Sequence, residues 1–217
     1  MQSNNGTPKQ SNQSPDTNVH HIRLAEYEIT DEPVREKWYT RLPLAVQDRI
    51  EELHSQIRQG DEDTIRELEN LIIKYPKVPL FYNYLSAAYQ YANMKEKAEE
   101  TIIENYRKNP DYLFAKLNYA EIFLRKGDYA EFAEIFRHNF DIKFHLPNRR
   151  RFHLTEFTQF YASVGRYYAG IKDYKTAQMI YDMLCNFKTN SPNIQSLGQM
   201  LEPSLLRRVA TKFTIRR

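Results

Sequence analysis

A helical pattern that returns after 34 residues constrains this chain more than any other feature of its sequence. Residues 79–112 carry Tyr82, Leu85, Ser86, Tyr89, Ala98, Ile102 and Pro110, and residues 113–146 return Tyr119, Ala120, Phe123, Phe132 and Phe136 in the same register. Another copy follows an insertion of about eleven residues, with Tyr161, Val164, Gly165, Tyr168, Ala177 and Tyr181. A period of this length fits one helical hairpin per repeat, and neighbouring hairpins stack because none can bury its apolar face alone. Such an array presents surface rather than chemistry, so binding precedes catalysis as an expectation.

The flanks fit this scheme. Leu44, Val46, Ile50, Leu53 and Ile57 recur at spacings of three and four, which predicts a helix over 42–58 that Gly60 ends. Ile65, Leu68, Leu71 and Ile72 predict a second helix stopped by Pro76, so 45–78 reads as a degenerate first repeat. Residues 1–19 are polar and too poor in large apolar groups to offset the entropy of ordering, which predicts disorder. Residues 20–41 read as a strap, a strand or a linker, with Ile22, Leu24, Tyr27 and Ile29 loosely alternating. The interruption at 141–157 contains Pro147-Asn148 and is either a longer loop or an extension of the flanking helices. Ser191-Pro192 signals a helix start, and 192–217 is expected to be a C-terminal capping helix with a basic tail.

Composition narrows the class. Only 6 of 217 residues are glycine, which disfavours turn-rich β architectures, while 16 Tyr and 12 Phe supply volume for helix contacts. The single cysteine, Cys185, cannot form an internal disulfide and reads as a small buried hydrophobe on an apolar helix face. No apolar stretch reaches the length of a membrane span and no secretory signal is visible, so a cytoplasmic location without membrane attachment is expected. Charge is unevenly divided: residues 1–110 hold 14 Lys/Arg against 18 Asp/Glu, and residues 111–217 hold 17 against 10. The excess of positive charge gathers in the insertion at Lys143, Arg149, Arg150 and Arg151, with Phe144 and Phe152 between them. Arginines interleaved with aromatics can grip phosphates and stack on bases, whereas the plainer reading has them pair with acidic faces.

The repeated positions resemble the tetratricopeptide repeat, whose pattern runs Trp-x2-Leu-Gly-x2-Tyr, then Ala-x3-Phe, then Pro. In residues 79–112 the match is Tyr82, Leu85, Ser86, Tyr89, Ala98, Ile102 and Pro110; in the third copy it is Tyr161, Val164, Gly165, Tyr168, Ala177 and Tyr181. The second copy departs from the pattern, with Lys116 in place of the large aromatic and Phe132 in place of the small residue. The resemblance covers roughly 45–191. It implies an all-α fold, a right-handed superhelix of stacked antiparallel hairpins, with the first helix of each repeat lining a concave groove. Carried over position by position, that groove comprises Asn83, Tyr84, Ala87, Gln90 and Tyr91, then Asn118, Glu121 and Arg125, then Gln159 and Arg166. A carboxylate clamp of the kind one subclass uses is not expected, because of its five positions only Asn118 fits.

The expected function is therefore protein–protein interaction: an adaptor or scaffold that takes a partner peptide or helix in the groove. Nucleic-acid or anionic-surface binding through residues 149–151 and the basic C-terminus is the alternative. The groove could instead be filled by 20–41 or by the C-terminal helix, and exposed aromatics on the end repeats leave room for a homodimer. No catalytic motif is present, none of the six His has metal-binding spacing, and neither a catalytic residue nor a cofactor is expected.

Overall fold

The computed structural model describes residues 27–187, 189 and 191–202. The expected tail at 1–19, the first part of 20–41 and the basic C-terminus beyond 202 lie outside the described residues. The chain is predominantly helical. A strand β1 (Glu28–Thr30) precedes the helices α1 (Leu44–Gln56), α2 (Glu62–Lys74), α3 (Pro79–Tyr91), α4 (Lys95–Lys108), α5 (Leu113–Lys126) and α6 (Tyr129–Ile135). The short α7 (Ile142–His145) and strand β2 (Arg151–His153) follow, then α8 (Leu154–Gly170) and α9 (Tyr174–Cys185). A last helix, α10, covers 192–202.

Three helix pairs close with the same turn. Asn93, Gly127 and Lys172 adopt left-handed backbone with φ of 59°, 73° and 68°. After each, an amide reaches back five residues: Met94 N donates to Tyr89 O at 2.8 Å, Asp128 N to Phe123 O at 2.9 Å, and Asp173 N to Tyr168 O at 2.9 Å. This is the Schellman arrangement, which satisfies carbonyls the helix end leaves open. Tyr89, Phe123 and Tyr168 are themselves repeat positions, so one residue both fills the interhelical space and closes the turn. Two of the helices that follow are capped by aspartate, Asp128 accepting from Glu131 N at 3.1 Å and Asp173 from Thr176 N at 3.1 Å, and Asp61 caps α2 likewise, accepting from Thr64 N at 2.8 Å; α4 has no side-chain cap.

The core forms three adjoining clusters. The first is built around Leu53, Leu68, Phe81 and Ala88 from α1 to α3, with Ala98 of α4; the second around Leu117, Phe132, Phe136, Phe152 and Phe160; the third around Phe157, Ala177, Leu184 and Leu197. The small repeat positions Ser86 and Ala120 are buried as expected. Gly165 faces α10: a Cβ there would stand 2.5 Å from Leu197 Cδ2. Helix α10 thus covers the third copy, which is the place assigned to a cap.

Two expectations need correction. The chain is not wholly α-helical, because β1 and β2 pair in parallel with Ile29 opposite Phe152, and Glu28 N donates to Arg150 O at 2.9 Å. Backbone leaving Pro147-Asn148 is extended and needs partners. Segment 27–30 supplies them and seats Tyr27 edge-on against Phe152, 5.1 Å between centroids. The insertion is accordingly both loop and helix extension: it forms α7, β2 and the first turn of α8. Cys185 is exposed rather than buried. It lies one residue past the buried Leu184, which turns it about 100° away from the packed face of α9.

Candidate functional site

Seven of the ten groove positions border one cavity of about 360 Å³: Asn83, Ala87, Gln90, Asn118, Glu121, Arg125 and Gln159. They come from α3, α5 and α8. The same cavity is bordered by Ser163 and by Asn193 of α10. An asparagine ladder fixes its floor. Asn105 of α4, buried, donates to Pro79 O at 3.1 Å and to Asn83 Oδ1 at 2.8 Å, and Asn118 Nδ2 donates to the same Asn83 oxygen at 3.2 Å. The ladder ties three helices through one carbonyl oxygen. It leaves the Asn83 amide nitrogen and the Asn118 amide oxygen without a protein partner among the described residues, so a ligand can use both. Gln90 and Arg125 are exposed beside them.

The other three positions go elsewhere. Arg166 is held by Glu121: its Nη1 donates to the two carboxylate oxygens at 3.0 and 2.7 Å, with the guanidinium largely buried. The pair joins α5 to α8 and leaves Arg125 as the cation of the polar cavity. Tyr91 is exposed at the end of α3, against the turn that holds Gly60. Tyr84 packs into the first core cluster beside His54, 5.8 Å between centroids, and burial with the nearby Glu51 pushes its hydroxyl pKa up to about 12.

Tyr84 borders a second cavity of about 450 Å³. One wall is Leu80, Tyr84, Tyr112 and Phe114; the other is the strap, through Val34, Glu36, Trp38 and Tyr39. Residues 27–41 therefore span the molecule. Tyr27 and Ile29 pack on the later helices, and Trp38 and Tyr39 pack on the first core cluster. The strap covers the Leu80–Phe114 end of the groove positions and leaves the asparagine cavity open.

The basic patch is mostly occupied by partners within the chain. Arg149 donates to both oxygens of Glu156 at 2.8 and 2.7 Å, reaches Glu36 at 3.3 Å and lies over the Phe152 ring, 5.0 Å from its centroid. Arg151 pairs with Glu28 at 3.0 Å and Glu32 at 3.2 Å, both on the strap. The Lys143 ammonium donates to Arg149 O. Arg150 alone is exposed without a side-chain partner among the described residues. Glu156 also caps α8 through His153 N at 2.9 Å, so one carboxylate serves a helix start and an ion pair together. Burial pushes the Glu36 carboxyl above its ordinary range; Arg149 opposes that rise and Glu156 adds to it.

The second cavity is absent from the sequence reading. Trp38 carried the one available signal, a large aromatic in a segment read as strap, strand or linker. Among the described residues no group of three or more His, Cys, Asp or Glu could hold a metal ion, and no helix is long and apolar enough to cross a membrane. No protein-family model, curated protein or solved structure matches the chain.

Proposed function

We propose that the chain is a protein-interaction module, an adaptor or scaffold of the tetratricopeptide type, that takes a short extended segment of a partner in the asparagine cavity. The convergence of Asn83, Gln90, Asn118, Arg125 and Gln159 on one open, polar space carries this reading. Side-chain amides aimed at a cavity suit peptide backbone, which offers alternating donors and acceptors along its length. Arg125, which forms no ion pair among the described residues, suits a carboxylate on the same segment. The recurrent turn and the 34-residue period support stacked hairpins forming a superhelix with this cavity on its concave side. Nucleic-acid binding through residues 149–151 has less behind it, since Arg149 and Arg151 already hold Glu156, Glu36, Glu28 and Glu32.

The test is affinity capture with wild-type protein and with an Arg125→Ala/Gln159→Ala variant, with and without nuclease. Both residues lie outside the ion pairs, so the variant's melting temperature should match wild type. A protein partner that survives nuclease and is lost from the variant is the expected result. A partner retained by the variant, or lost on nuclease treatment, would overturn the reading.

A further inference from the structure

The strap-covered cavity has its own chemistry. Its rings meet edge to face: Trp38 and Tyr112 stand 6.3 Å apart at 88°, and Tyr112 and Phe114 5.8 Å apart at 60°. Tyr84 and Tyr39 complete the aromatic lining. Three carboxylates, Glu36, Glu51 and Glu156, border the same space. Arg149 compensates only one of them fully, since its two short hydrogen bonds go to Glu156 while Glu36 stands off at 3.3 Å. Glu51 is exposed and makes no ion pair among the described residues. Arg35, 5.5 Å over the Tyr39 ring, borders the space as well, as do the imidazoles of His54 and His153. The indole N–H of Trp38 is buried with no acceptor among the described residues and is closed to the cavity, so Trp38 offers the space its ring alone.

We propose that this cavity binds a protonated primary alkylamine, the chemistry of a lysine side chain. The ring faces attract the cation, and Glu36 and Glu51 accept its N–H groups. Carboxylate acceptors favour an ammonium over a quaternary cation, which has no N–H to give. The site is separate from the asparagine cavity and does not rest on the reading proposed for it.

Trp38 is the chain's single tryptophan, so its fluorescence reports this cavity directly. The experiment titrates the full chain with N-acetyl-lysine N-methylamide, and in parallel with the norleucine and trimethyl-lysine analogues. The lysine compound should shift Trp38 emission and bind about ten-fold tighter than the uncharged norleucine compound. Glu51→Gln, at an exposed position free of ion pairs, should cut that preference, and Glu36→Gln should cut it further. Because Glu36 also anchors the strap, a melting curve accompanies its variant, and the Glu51 variant stands if that one unfolds. Equal binding of the lysine and norleucine compounds, tighter binding of the trimethyl compound, no response from any of them, or a preference unchanged in Glu51→Gln would each overturn the proposal.

Discussion

Arg149 and Glu156 form a two-point ion pair, at 2.8 and 2.7 Å, with side chains only 18% and 7% exposed. Two adjacent arginines of the insertion, Arg149 and Arg150, therefore differ sharply in what they do. Arg149→Ala leaves the Glu156 carboxylate buried without its cation and frees Glu36 from the strap anchor. A loss of about 3 kcal/mol is expected, because removing one member of a buried pair strands the other. Arg150→Ala should change stability by less than about 0.5 kcal/mol, as exposed substitutions usually do. Urea melts of the two variants make the comparison, and equal effects would show that the pair does not hold the strap.

The left-handed turns give a graded series. Gly60 has φ of 62°, and a Cβ there would stand 2.7 Å from Ala92 N and 2.8 Å from Tyr91 C, both backbone atoms that cannot yield cheaply. Gly127 has φ of 73° and nothing within 4 Å of the same point. Gly127→Ala should cost about 1 kcal/mol of backbone strain, and Gly60→Ala at least about 2 kcal/mol, since strain and clash add. Lys172→Gly should stabilise by about 0.5 kcal/mol, as relief of strain at φ of 68° exceeds the entropy glycine adds to the unfolded chain. Melting temperatures should fall from Lys172→Gly through Gly127→Ala to Gly60→Ala.

His145 supplies a pH dependence. Burial holds its pKa below the ordinary 6.5, with Lys116 and Arg137 adding to that effect, while a hydrogen bond to Asn139 O at 2.7 Å opposes it. The unfolded chain therefore binds more protons than the folded one just below pH 6.5. Stability falls as pH drops through that window and is fully present above it. Glu67 acts in a different window: Arg49 lowers its carboxyl below the ordinary 4.5, so its contribution is present above that value and is lost only in stronger acid. His145→Gln keeps a donor for Asn139 O and removes the titration. Melting temperatures between pH 7 and 5 should slope less in the variant, and an unchanged slope would place the effect on another group.

How much of this was legible depended on whether the signal was local. The 34-residue recurrence of Leu85/Tyr119 and Ser86/Ala120 marks helices whose apolar faces are set by neighbours a few residues away, and α3, α4, α5, α8 and α9 lie where that pattern puts them. Gly127-Asp128-Tyr129 announced one turn because glycine favours positive φ. Asn93 carries a weaker form of the same signal, since asparagine is the commonest non-glycine residue in that conformation, whereas lysine at 172 carries none and has the conformation imposed on it by packing. Nothing near residue 149 in sequence could reveal that Arg149 meets Glu36, 113 residues away, or that the strap pairs in parallel with β2. Long-range pairing carries no periodic trace, so the sequence leaves 20–41 open between strap, strand and linker and does not place Trp38 at a cavity.

Glu121 and Arg166 show how the asparagine cavity is braced. Their pair spans α5 and α8, and the Arg166 Nε is buried with no acceptor, so Glu121 is the carboxylate that compensates the guanidinium. Glu121→Gln should cost about 2 kcal/mol by leaving that charge underpaired. Arg166→Met alone should release Glu121 toward the cavity beside Arg125, cancelling the positive charge there and weakening capture of an acidic segment while leaving an uncharged one unaffected. The double variant Glu121→Gln/Arg166→Met removes both charges, and its loss of stability should be smaller than the sum of the two single losses by about 1 to 3 kcal/mol. Strict additivity in a double-mutant cycle would mean that α5 and α8 are held by apolar packing alone and that the pair serves only to fill the cavity wall.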